Sequence, residues 1–137
     1  MADLTIAQAS VVPQPNAVIV RDGFIGASIT AGSPMWWDDV AMTFKNADAA
    51  TSAAVAAVAG ICLSTTFAGQ PASRIIAGDL AVGAVLTVGQ TYVLSSNAGK
   101  IAPISDVATG MWVTILGVAI STSVLRLGLL PSGIQRA

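Results

Sequence analysis

Met111-Trp112-Val113-Thr114-Ile115-Leu116-Gly117-Val118-Ala119-Ile120, then Ser121-Thr122-Ser123, then Val124-Leu125-Arg126-Leu127-Gly128-Leu129-Leu130, is the stretch on which the fold turns. The uncharged run Val107 to Leu125 approaches the ~20 residues of a spanning helix. Against that reading, Val, Ile and Thr dominate it, Gly110 and Gly117 interrupt it, and neither flank carries the Lys/Arg excess that orients a membrane helix. As a hairpin the stretch is coherent. In its second arm Leu125, Leu127 and Leu129 alternate with Arg126 and Gly128, the mark of a half-buried strand. The first arm is apolar on both faces, as a strand with cover on both sides would be. We therefore read an all-β protein with no membrane span.

The rest of the chain has the same texture. Gly, Pro and Asn punctuate β-branched runs about every ten residues. Strands are expected at Leu4 to Ile6, Ala17 to Val20, Phe24 to Thr30, Ile61 to Thr65, Ala72 to Ile76, Val85 to Val88, Tyr92 to Ser95 and Lys100 to Ile104. Asn97-Ala98-Gly99 is suited to a hairpin turn between the last two. Met35-Trp36-Trp37 and Met42-Thr43-Phe44 fit a hairpin around Asp38-Asp39. Helix competes only in Asn46 to Ala59, where alanines follow possible N-caps at Asp48 or Thr51-Ser52 and Gly60 is a stop, so one short helix or an ordered loop is expected there. The expected architecture is a compact β-barrel or β-sandwich with at most one short Ala-rich helix there. Residues 1–13 form an extended N-terminal arm, and residues 14–137 form a single β domain. Leu4 and Ile6 alternate like a strand, Gln8 and Ser10 break the apolar face, and Pro13 and Pro15 follow, so the arm is expected to pair outside its own core.

An internal repeat is visible at an offset of 57 residues. Gly26-Ala27-Ser28-Ile29-Thr30-Ala31-Gly32-Ser33-Pro34-Met35-Trp36 aligns with Gly83-Ala84-Val85-Leu86-Thr87-Val88-Gly89-Gln90-Thr91-Tyr92-Val93. The alternative is convergent hairpin chemistry in a Gly-rich β protein.

Composition excludes much. The chain of 137 residues has no histidine and no glutamate, which removes the usual general base, the commonest metal ligand and paired-carboxylate or Ser-His-Asp chemistry. It is 54% hydrophobic and only 9% charged, so it spends its sequence on burial, and apolar surface left over implies neighbours. No enzyme activity, cofactor, metal or small-molecule substrate is expected. Six basic residues are spread evenly, giving no patch for nucleic acid. Cys62 stands alone in an apolar run and reads as a buried hydrophobe. The opening MADLTIAQAS has an early Asp and no apolar core, unlike a signal peptide.

Asp38-Asp39 is the one carboxylate pair, and strand neighbours point to opposite faces, so a solvated hairpin tip is the expected role. Trp36-Trp37 poses a sharper question, because one core cannot readily absorb both indoles. One tryptophan is expected in the core and the other at an interface, with joint core burial or a sugar-stacking platform as alternatives. Leu4, Ile6, Trp36 and Trp37 are the candidate interface residues.

Several segments taken in order carry a resemblance. They are Met1-Ala2-Asp3-Leu4-Thr5-Ile6, the Ile29-Thr30-Ala31-Gly32-Ser33-Pro34-Met35-Trp36 corner, Asp48-Ala49-Ala50-Thr51-Ser52-Ala53-Ala54 running into Ala59-Gly60-Ile61-Cys62-Leu63, and Ala68-Gly69-Gln70-Pro71. Leu86-Thr87-Val88-Gly89-Gln90-Thr91-Tyr92-Val93-Leu94-Ser95 and Val113-Thr114-Ile115-Leu116-Gly117-Val118-Ala119 complete the set. On these the chain resembles the small capsid cement (decoration) proteins of tailed bacteriophages, departing from them at Trp36-Trp37, where the family is more polar. The resemblance implies a compact β unit, commonly a homotrimer, made in the bacterial host cytoplasm and seated on the outer surface of the expanded capsid. It would bind the major capsid protein and bridge neighbouring capsomers, with no catalytic residues to carry over. The rival expectation is a receptor- or glycan-binding β module of a phage fibre or bacterial surface.

Overall fold

The computed structural model describes residues 2–137. Among these the protein is all-β, built on a curled antiparallel sheet that forms a half-barrel. Its strands are β1 (Val12–Pro13), β2 (Val18–Val20), β3 (Pro34–Asp38), β4 (Thr43–Asn46), β5 (Val58–Cys62), β6 (Arg74–Ala81), β7 (Thr91–Leu94), β8 (Ile101–Pro103), β9 (Trp112–Ala119) and β10 (Val124–Gln135). The sheet order is β4-β3-β5-β6-β10-β9-β7-β8, with β1 and β2 added along β6. No helix among the described residues is long and apolar enough to cross a membrane.

That order is a palindrome, and its registers show why. β3 pairs with β5 through Pro34↔Ile61 and Met35↔Gly60, then a register shift, then Trp36↔Val58. β7 pairs with β9 through Thr91↔Val118 and Tyr92↔Gly117, the same shift, then Val93↔Ile115. Every number is raised by 57. The pairs Met35↔Asn46, Trp36↔Lys45 and Trp37↔Phe44 map by the same step onto Tyr92↔Pro103, Val93↔Ala102 and Leu94↔Ile101. The corners agree bond for bond: Gly32 N–H donates to Cys62 O and Gly89 N–H to Ala119 O, both at 2.8 Å. Glycine fits both corners because φ is +90° at Gly32 and +81° at Gly89. The repeat is therefore structural, and convergent turns alone would not reproduce the registers and the shift together.

The two units join where β10 pairs with the later part of β6, beyond its short pairing with β5, while β1 and β2 pair with β6 along its other edge. Ile75 sits opposite Ile61 as Arg126 sits opposite Val118, so the fourth strands correspond with a step of 51. By that step Ala77 matches Gly128, and these two residues face each other in the β6–β10 ladder. The pairing buries Leu80 and Leu125 completely, each side chain contributing about 1.5–3 kcal/mol by removal from water. Arg126 and Asp79, also opposite each other, close an ion pair at 2.9 Å on the other face.

Two apolar clusters result. The larger includes Ile61, Ile75, Leu80, Val93, Leu94, Ile101, Leu116 and Leu125. The smaller comprises Ile25, Ile29, Met35, Phe44, Cys62 and Ala72 and belongs to the first unit.

Of the two outcomes open for the Ala-rich segment, residues 47–57 take the ordered loop and hold no helix, and elsewhere some expected elements differ. Asp48 does cap, accepting from the N–H groups of Ala50 and Thr51, and Ser52 Oγ accepts from Val55 N–H. The turn stops because neighbouring strands claim its backbone: Ala49 N–H donates to Ser95 O, Ala49 O accepts from Trp112 N–H, and Ala56 O accepts from Thr114 Oγ1. Phe24 to Thr30 makes only isolated bridges, to Pro71, Phe44 and Thr66. A side chain at Gly26 would collide with Thr43, so this segment hugs β4 too closely to ladder as a regular strand. Val85 to Val88 is likewise a loop, held by Leu86 N–H to Thr122 O. β10 continues past Leu130 to Gln135, absorbing Pro131 at one of its register shifts.

The arm also departs from expectation, because it lies on its own domain. Leu4 N–H donates to Ile101 O, the Asp3 carboxylate accepts from Ser95 Oγ and Asn97 Nδ2, and Leu4 and Ile6 pack half-buried on the larger cluster. Residues 4–6 form no strand, and Val11 belongs to the core itself.

Candidate functional site

Trp36 and Trp37 do diverge, but each meets a cluster. Trp36, opposite Lys45 and Val58, packs half-buried on the larger cluster. Trp37, opposite Phe44, packs half-buried on the smaller one, edge to face with the Phe44 ring at 4.8 Å between centroids. Successive residues of β3 face opposite sides of the sheet, and here both sides carry apolar cover. The expected division into one core indole and one free indole is replaced by two half-buried ones.

Trp37 borders a pocket of about 180 Å³ lined by Asp22, Gly23, Phe44, Ala59 and Arg74. The Arg74 guanidinium lies 5.0 Å from the Phe44 ring centroid, donates to Ala59 O, and pairs with Asp22 at 3.1 Å. Gly23, with φ +70°, lets the chain pass close under the Phe44 ring, where a Cβ would stand 2.8 Å from Cε2. A flat aromatic wall beside a fixed cation can take an apolar side chain next to a carboxylate. It can also stack a sugar face.

Beyond the pocket the hairpin closes at residues 39–42. Asp38 and Asp39 part company there, as the alternation predicts. Asp38 Oδ1 accepts from Val40 and Ala41 N–H, and Oδ2 pairs with Lys45 at 2.7 Å. The Lys45 hydrogen bond, then the Ala41 N–H, hold the Asp38 carboxyl below its ordinary pKa. Asp39 is exposed and makes no ion pair among the described residues. The tip is not simply solvated polar chain, since Val40 is 97% and Met42 62% exposed. Phe24 and Phe67 are exposed on the neighbouring loops, which are joined by the Phe24↔Pro71 bridge.

Leu4 and Ile6 line a second, more polar pocket of about 120 Å³, with residues of the 30–33 corner, Asn46 and the 98–101 turn. The structure thus brings Leu4, Ile6 and Trp36 to one cluster and sets Trp37 against the other. Cys62 is fully buried with Sγ 3.0 Å from Ser64 O, and burial pushes its thiol pKa up, away from a nucleophile's needs. Among the described residues no three Cys or Asp side chains converge as metal ligands.

Val40, Met42, Phe24 and Arg74 were not evident as site residues from the sequence. A signal existed for the first two: carried on through Asp38 to Thr43, the 57-residue alignment sets Val40 against Asn97 and Met42 against Gly99. Comparison with protein-family models and with curated proteins finds no match for this chain.

Proposed function

We propose that this chain is a virion structural protein, a cement or decoration protein that binds the outer surface of an assembled capsid and bridges neighbouring capsomers. In this reading it is no enzyme, it self-associates as a trimer, and its partner is the major capsid protein. The carrying observation is the exposed apolar side chains of the 39–42 tip and the loops at Phe24 and Phe67, set on a cross-paired β frame. Such a frame loses little freedom on binding, so buried area converts into affinity with a small ordering cost. An interface of ordinary size, roughly 1,200–2,000 Å², repeated over a lattice gives a strong clamp through multivalency. The test is addition of purified protein to expanded capsids that lack it. Saturable co-sedimentation and increased resistance of the heads to heat or chelation are expected; no binding to any expanded capsid of its own phage overturns the reading.

The rival, a glycan-binding module, draws on one observation: Asp22 and Arg74 stand beside the Trp37–Phe44 wall. Saturable glycan binding abolished by Trp37→Ala, without capsid binding, would favour it.

A further inference from the structure

Asp22 is the one aspartate of this chain that precedes a glycine; the others precede Leu4, Asp39, Val40, Ala49, Leu80 and Val107, and every asparagine precedes an alanine. The backbone nitrogen that follows an aspartate can attack the side-chain carboxyl carbon, and a side chain on that next residue hinders the approach. Glycine has none. The fold keeps this dipeptide open. Asp22 and Gly23 lie outside any strand, between β2 and the Phe24–Pro71 bridge, with a bend at Gly23. The Asp22 side chain is 60% exposed, against 15% for Asp38 and 13% for Asp79, which sit in strands with their carboxylates in closer ion pairs. Among the described residues Asp22 is held by Arg74 Nη2 alone, at 3.1 and 3.5 Å.

The reaction needs nothing but the chain and water. The Gly23 nitrogen bonds to Asp22 Cγ, a carboxyl oxygen leaves as water with the amide proton and the carboxyl proton, and a five-membered imide remains. Water then opens the imide at one of its two carbonyl carbons. Breaking the bond from nitrogen to Cγ restores aspartate. Breaking the bond from nitrogen to the main-chain carbonyl carbon gives isoaspartate, in which the chain runs through Cβ and Cγ and a free carboxylate stands directly on Cα. Composition is unchanged, but the local shape is not. Gly23 packs so closely that a Cβ would stand 2.8 Å from Phe44 Cε2 and 3.1 Å from Trp37 Cζ3, so an added main-chain methylene there displaces the rings or the chain. The carboxylate, drawn back onto Cα, loses its reach to Arg74.

We propose that Asp22–Gly23 is a site of spontaneous modification, where conversion to isoaspartate frees Arg74 and remodels the Trp37–Phe44 pocket. Arg74 lies 5.0 Å from the Phe44 ring centroid, so the loss of its carboxylate leaves a cation against an aromatic face. A pocket in which cation and carboxylate balance in the newly made protein becomes cationic with age. Asp22 and Gly23 both line that pocket, so the change falls on a candidate binding surface and spares the two buried clusters. The proposal is independent of capsid binding and of self-association.

In the experiment, purified protein is held for weeks at neutral pH and physiological temperature, native or unfolded in urea, beside Asp22→Glu, whose longer side chain would need a less favourable six-membered ring. Samples are then denatured and digested, and isoaspartate is read as methyl transfer by an isoaspartyl methyltransferase and placed by peptide mapping. Native wild type is expected to gain methyl acceptance on the peptide containing Asp22 and Gly23, and Asp22→Glu to gain none there. Before denaturation, phenylglyoxal should label Arg74 severalfold faster in aged than in fresh protein, with Arg126, which keeps Asp79, as the reference. The remaining aspartates of the same molecule serve as internal controls, so the result does not hang on the folding of the variant. No gain at residue 22 in the native protein, or equal gain at the other aspartates, overturns the proposal. Gain confined to the unfolded chain overturns it too, because the fold then suppresses the reaction. Gain at residue 22 with Arg74 labelling unchanged overturns the link to the pocket.

Discussion

Met42→Gly should make the isolated subunit more stable although it deletes a large apolar side chain. At φ +56° an L-residue is disfavoured by roughly 1–2 kcal/mol. Glycine removes that strain but brings about 0.5–1 kcal/mol of extra unfolded-state entropy. The methionine side chain is mostly in water, so little packing is lost with it. The net expectation is a gain of ~0.5–1 kcal/mol, or about 2–4 °C in Tm for a domain of this size. Urea or thermal unfolding in dilute solution measures it without the contribution of association. The reverse change supplies the sign control. Gly99→Ala should cost at least ~1 kcal/mol, because φ is +72° there and the new Cβ would stand 2.7 Å from Asn46 Oδ1. If Met42→Gly instead destabilises by about 0.5 kcal/mol or more, Met42 supports its own fold. The comparison of tips would then lose its meaning.

Gly117→Ala should be more damaging than Gly60→Ala, though the two are counterparts: at Gly117 the new Cβ would stand 2.1 Å from the backbone carbonyl oxygen of Arg126, while at Gly60 it would stand 2.9 Å from Arg74 Cβ, a smaller overlap. Chemical denaturation of the two variants checks the order, with about 2 kcal/mol or more expected for Gly117 and a smaller loss for Gly60. Asp79, hydrogen-bonded by Arg126, has its carboxyl held below the ordinary 3.8. Its stabilisation is therefore fully present above the unfolded-state value and is lost as the pH falls through the lowered folded-state value, so Asp79→Asn should flatten the acid limb of a stability–pH curve. Cys62 should resist a thiol reagent in the native protein and react at once in denaturant, since it is fully buried with a raised pKa. Deleting residues 2–12 should lower Tm, because Leu4 bonds the β8 edge and Val11 lies in the core; an unchanged melt would mean that the arm is dispensable to the fold.

Sequence reading recovered what depends on local pattern. The β9–β10 hairpin was legible because Leu125, Leu127 and Leu129 keep a period of two, and the burial follows that alternation in Leu125, Arg126 and Leu127. The divergence of Trp36 and Trp37 was legible for the same reason. What failed depended on competition for backbone groups. Nothing in Asp48 to Ala56 says that Trp112 and Ser95 will take its hydrogen bonds, so alanine propensity left a short helix open beside the loop. Nothing in Pro131 and Gly133 says that β9 will hold a strand through them. The pocket needed Asp22 and Arg74, which are 52 positions apart, to meet at Trp37. No local pattern encodes that meeting.

The repeat offers a way past this limit, because each unit serves as a control for the other. Where the units agree, in the register shift after Met35 and Tyr92 and in the Gly32 and Gly89 corners, the residues answer to the fold. Where they differ, the fold has been satisfied both ways, and the difference needs another explanation. The differences concentrate in the first unit: the Val40–Met42 tip, the smaller cluster under Trp37, and the longer 63–73 connection that carries Phe67, against 120–123 in the second. At the corresponding strand positions the second unit sends Tyr92, Val93 and Leu94 into the larger cluster. The second unit exposes apolar side chains of its own, Val88, Ile120, Leu130 and Ile134 among them, but has neither the Val40–Met42 tip nor the Trp37–Phe44 pocket. A protein that bound through the fold's common features would present two equivalent surfaces, one on each unit. This one presents its apolar tip and aromatic pocket on one side only, so each subunit has one such surface to offer.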